Sequence, residues 1–163
     1  MKKDHVDNIL NQWHDERPDL DVSPMGIVGR LFRLNKIFEK ELQSVFVKYN
    51  LNFGEFDVLA VLLRTGNPYA LTPNQLLSSL MLSSGAMTNR IDKLEKMELV
   101  HRKPDPNDRR GVLVTLSKSG LKLINEVVTN HVQHEHEILD CLNPSQQKNL
   151  AVLLKQLLLK YEA

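Results

Sequence analysis

Asn89, Lys93, Arg109 and Arg110 belong to the stretch of this 163-residue chain that has most to offer a ligand, and the chemistry they offer is non-covalent recognition of a polyanion. Between residues 83 and 122, Lys and Arg outnumber Asp and Glu by nine to five, whereas the whole chain carries a formal charge of only +1. A cationic excess confined to one short region is the footprint of phosphate binding, and the near-neutral total says nothing by itself. The hydroxyls of Ser83, Ser84 and Thr88, the open amides of a helix start and the ammonium of Lys93 can hold phosphate oxygens. Asn89 carries the paired donor and acceptor that match the edge of adenine.

These residues need a helix and a hairpin to present them. Residues 83–98 start with serines able to cap amides and then place Met87, Ile91 and Leu94 at helical spacing, which predicts one buried stripe. At about 100° per residue, Asn89, Lys93 and Lys96 fall opposite that stripe and Arg90 at its border. Residues 99–103 and 112–116 are β-prone runs around a Pro/Asp/Asn/Gly turn, which predicts a hairpin with Arg109 and Arg110 at its tip.

The run Asp-Pro-Asn-Asp-Arg-Arg-Gly at 105–111, followed by Val-Leu-Val-Thr-Leu-Ser-Lys-Ser-Gly, resembles the Asp-x-x-Asp-x-Arg-Gly wing of the MarR (multiple antibiotic resistance regulator) winged-helix repressors. Residues 83–99 resemble their recognition helix, and the likeness extends over nearly the whole chain. It implies a homodimer joined through its terminal helices, with two recognition helices meeting a pseudo-palindromic operator of half-sites about one DNA turn apart. It further implies that Arg110 enters the minor groove, oriented by Asp108 through a charge-assisted bond, with Arg109 on phosphate. Trp13, Asp57, Arg90 and Arg102 resemble the effector residues of the family's urate-responsive branch. There an arginine holds the anionic purine, the tryptophan stacks on it and the aspartate senses it by repulsion. The same arginines would accept the phenolic or aromatic carboxylates to which many relatives answer. The plainer reading is that Asp57 bonds to Arg90 or Arg102 and braces the winged helix.

The rest of the chain supplies scaffold. With 42% hydrophobic and 25% charged residues it fits one unit, mainly α with a small β-wing: a winged helix-turn-helix over 53–116 and dimerisation helices over 1–50 and 117–163. Val6, Ile9, Leu10 and Trp13 predict a short amphipathic helix before Pro18. Ser23-Pro24 opens a run to about residue 49, a helix of about 26 residues extending about 39 Å. Further helices are expected over 53–65, from Thr72-Pro73 onward, from Ser117 to about residue 139 and from Asn143-Pro144. The long stripes exceed what a small winged-helix core covers, so these helices are expected to oligomerise. A single cysteine, Cys141, and no run of about 18 apolar residues suggest a cytoplasmic protein outside any membrane. No cofactor, metal or catalytic motif is expected: there is no phosphate loop, nucleophile elbow or acid–base pair, which disfavours an enzyme. Three alternatives stay open: metal sensing through His131, His134 and His136, a redox role for Cys141, and a winged helix that binds only protein.

Overall fold

The computed structural model describes residues 2–80, 84–106 and 108–162, which form two compact units, Met1–Glu41 and Leu42–Ala163. The order is α1 (His5–Glu16), α2 (Ser23–Val47), α3 (Phe53–Arg64), β1 (Ala70–Leu71), α4 (Pro73–Leu80), α5 (Ser84–Lys96), β2 (Val100–Asp105), β3 (Asp108–Leu116), α6 (Lys118–Ile138) and α7 (Pro144–Leu159). The architecture is mainly α with a small three-stranded wing sheet, as expected. The boundary between the compact units falls inside α2.

In the first unit, Asp4 and Asp7 close a capping box at the start of α1. The same two carboxylates take the guanidinium of Arg30 on α2, at 2.7 Å each. Val6 is buried beside Gly29. Ile27, Phe32 and Ile37 of α2 stay half or more exposed.

In the second unit, Phe46, Val58, Leu59 and Leu62 pack with Leu76, Met87, Ile91, Leu94, Val100, Val114 and Ile124 in one buried cluster. Reciprocal caps start the helices: Asn52 with Glu55 for α3, Thr72 with Gln75 for α4 and Asn143 with Gln146 for α7. The antiparallel sheet runs β1-β3-β2, with Leu71 opposite Val114 and Arg102 opposite Val114 from the other side. Strand β1 was not expected from the sequence, because two residues are too few to show alternation. The hairpin is longer than its turn residues suggested: Pro104 pairs with Val112 and Asp105 with Asp108. Arg109 and Arg110 therefore lie in β3 and not in the turn. Proline is tolerated because β2 is an edge strand.

Between α5 and β2 the chain turns through Glu98, at φ 58°. Ser117 and Ser119 both donate to the Glu98 carbonyl, at 2.7 and 2.8 Å, and the Ser117 hydroxyl also accepts the Gly120 amide at 2.8 Å. A Cβ on Gly120 would stand 1.9 Å from the Leu99 carbonyl oxygen, so the start of α6 can sit this close to the turn only with glycine there. Helix α7 has no buried residue within its own unit, and Leu153, Leu157, Leu158 and Leu159 are about half exposed. Among the described residues no helix is long and apolar enough to cross a membrane.

Candidate nucleic-acid interface

Helix α5 buries Met87, Ile91 and Leu94 almost completely, which determines the face it turns inward. Gly85, Thr88, Asn89 and Lys96 are exposed on the opposite side, as the helical period requires. Ser84 opens the helix and Ser83 lies outside the described residues.

Two cations of α5 turn away from that face. Arg90 lies over the first turn of α3, so closely that a Cβ on Gly54 would stand 2.2 Å from its Cζ. The Lys93 ammonium lies 2.7 Å from Glu55 Oε1. Lys93, expected on phosphate, is thus engaged by a carboxylate of its own protein. Spacing could not reveal this, although Asn52-x-x-Glu55 is legible as a capping box.

The wing is tied to α5 by Arg102. Its guanidinium bonds to Asp92 and Glu95, and its backbone amide donates to Glu95 Oε1 at 3.0 Å. The Glu95 carboxyl is held below its ordinary range, chiefly by that amide and then by the guanidinium. Arg102, expected at the effector site, is therefore committed to joining wing and recognition helix: two acids three residues apart on α5 offer it a tighter place. At the wing end, Asp108 Oδ1 accepts the backbone N–H of Arg110 at 2.9 Å, so the acid holds the arginine by its main chain and not by its guanidinium. Gly111 keeps this turn closed, since a Cβ there would meet Asp105 Cβ at 2.9 Å. Arg110 is exposed, and Arg109 sits beside it in β3.

Asp57, on α3, is half-buried. Burial pushes its carboxyl above the ordinary range, and Arg90, Arg64 and His131 oppose that shift. Of the four expected effector residues, the structure thus brings Asp57 and Arg90 into one electrostatic neighbourhood and places Arg102 elsewhere. Trp13 stands on α1 in the first unit, 40% exposed. The histidines divide into separate pairs, His131 Nε2 with Glu135 at 3.3 Å and His134 Nδ1 with Glu137 at 3.0 Å. The His131 ring packs on Phe46 and Phe56, with centroids at 5.3 and 4.8 Å. Its closeness to Asp57 was not expected, because residues 74 apart reveal no contact by spacing. Among the described residues, no three His, Cys, Asp or Glu side chains converge as metal ligands would.

Residues 51–112 match the family model described as the MarR family. The HTH-type transcriptional regulator PecS of Dickeya dadantii (strain 3937) is 42% identical over 149 residues, covering 91% of this chain and 90% of PecS. The regulator MhqR of Bacillus subtilis (strain 168) is 31% identical over 131 residues, 80% of this chain and 86% of MhqR. Among solved structures, a mutant MarR from E. coli complexed with operator DNA aligns with TM-score 0.69 and 25% identity, over 90% of this chain and 97% of that one. BpsR of Bordetella bronchiseptica, whose DNA binding is regulated by 6-hydroxynicotinic acid, aligns with TM-score 0.69 and 27% identity, over 80% and 91%.

Proposed function

The chain belongs to the MarR family of transcriptional regulators, and from that premise we propose that it is a homodimeric repressor in the cytoplasm, released from a pseudo-palindromic operator by a small aromatic anion. It is a regulator and not an enzyme. The observation that carries the reading is the exposed face of α5, with Thr88, Asn89 and Lys96, locked by Arg102 to a wing that holds Arg110 outward. Asn89 would read a base edge, Arg110 the minor groove, and Thr88, Ser83, Ser84 and Arg109 phosphates. The apolar faces of α2 and α7 support assembly as a dimer.

The effector would act at Asp57. An anion held by Arg90 beside a carboxylate already costly to ionise adds repulsion there, and Arg90 belongs to the recognition helix, so the displacement reaches the DNA-reading face directly. Urate, phenolic or aromatic carboxylates and hydroxynicotinate share the chemistry of a flat anion that a guanidinium accepts. A titration of the protein with the DNA upstream of its own gene, repeated at fixed salt with urate, salicylate, a hydroxycinnamate and 6-hydroxynicotinate, tests this. Tight binding reversed by one compound supports the reading; tight binding reversed by none removes the aromatic-anion effector and leaves the DNA reader.

A further inference from the structure

The geometry points to Glu55 as a positioning residue for DNA reading: through Lys93 its buried carboxylate fixes where the recognition helix stands, and Lys93 is an internal strut, not a phosphate contact. This rests on the DNA-reading function proposed above. The Glu55 side chain is only 3% exposed, while that of Lys93 is 49% exposed. Glu55 Oε2 accepts the Asn52 amide at 2.9 Å, and Oε1 accepts Asn52 Nδ2 at 2.8 Å and Lys93 Nζ at 2.7 Å. The capping box itself does not need a charge, because Gln at this position closes it as well as Glu. What the carboxylate adds is its second oxygen, Oε1, an acceptor shared by Asn52 Nδ2 and Lys93.

The same arrangement argues against Lys93 on phosphate. Drawing the ammonium onto DNA would strand a buried carboxylate without its cation and bring more negative charge toward it, and a buried charge left without its partner is costly. Arg90, three residues earlier on α5, lies on Gly54, so two neighbouring cations register α5 against the first turn of α3. Asn89 and Lys96 are left for the groove. An α5 released from Glu55 keeps its buried stripe but no longer has the ion pair that sets its orientation about that stripe.

The test uses the full chain and a duplex enriched from a random-sequence DNA pool. Affinity for that duplex and for a scrambled one is measured across salt concentrations for wild type, Glu55→Gln, Lys93→Met, the double variant and Lys93→Arg. Glu55→Gln keeps the cap, so folding is retained. Each single variant is expected to lose about tenfold in affinity for the enriched duplex, the double variant no more than either, as for two residues acting through one interaction. Binding to the scrambled duplex and the salt slope should stay those of wild type, and Lys93→Arg should restore most of the loss. A salt slope shallower by about 0.9 in Lys93→Met, the change that accompanies one phosphate no longer neutralised, with Glu55→Gln binding normally, overturns the proposal and returns Lys93 to phosphate. Equal losses on both duplexes would reduce Glu55 to a general stabiliser. If no sequence is enriched, the DNA-reading function itself fails, and the strut with it.

Discussion

Arg110 stands exposed at the wing with its backbone held by Asp108 and no ion-pair partner among the described residues, so its guanidinium can meet DNA without breaking an internal bond. Arg110→Ala should therefore weaken operator binding by about 1–3 kcal/mol, roughly 5- to 150-fold, as for other groove contacts, and leave effector affinity unchanged. Titrations of the variant with DNA and, separately, with ligand check both halves. Asp57 gives a prediction of opposite character. Its folded pKa is raised above the unfolded value, so the protonated form favours folding at low pH, and that advantage is lost as pH rises from about 4 through the raised value. Asp57→Asn should thus melt higher than wild type at neutral pH, with the difference closing toward pH 4; a variant that melts lower at pH 7 would show Asp57 to be a structural brace. Residue types and helical spacing placed Asn89 on the exposed face and Arg90 at its border. They could not show that Lys93 and Arg102 have acidic partners inside the protein, because each pairing depends on how one element packs on another.

At the scale of elements, the docking of α1 on α2 and the docking of α6 on the turn after α5 are both fixed by few atoms. Trp13 is the only tryptophan and lies on α1, so its fluorescence reports that helix selectively. Arg30 holds the Asp4 carboxyl below its ordinary range, and the contribution is present above the unfolded pKa and lost as pH falls through the lowered value. Arg30→Met should loosen α1 at neutral pH, seen as a change in Trp13 emission or anisotropy well below the global melting temperature; acid should do the same to wild type but add little to the variant. Gly120→Ala should destabilise the second unit by about 1–3 kcal/mol or more in urea unfolding, since the added methyl meets backbone and not a movable side-chain end. Helices α1 to α7 were legible from apolar period and caps. The hairpin ends were not, because Pro104 looks like a turn residue until its strand is known to be an edge.

At the scale of the whole molecule, exposed leucines on α7 and exposed apolar residues on α2 demand cover. Sedimentation should show a dimer at micromolar concentration, and Leu153→Lys together with Ile37→Lys should give a folded monomer that has lost most of its operator affinity, since a two-fold site is then engaged by one reader at a time. The sequence displayed this excess of apolar stripe plainly, but not which parts of it the protein's own core would take. The wing bears on a different matter, the behaviour of many molecules crowded together. A hairpin held out with an open edge is a template on which other chains can add strands, and that hazard attends every newly made copy. Here the outer strand carries Pro104, with no amide to offer, preceded by Lys103 and facing the strand of the exposed Arg110. Like-charged wings repel each other and resist stacking, so the cations that suit this edge to nucleic acid also guard it against aggregation.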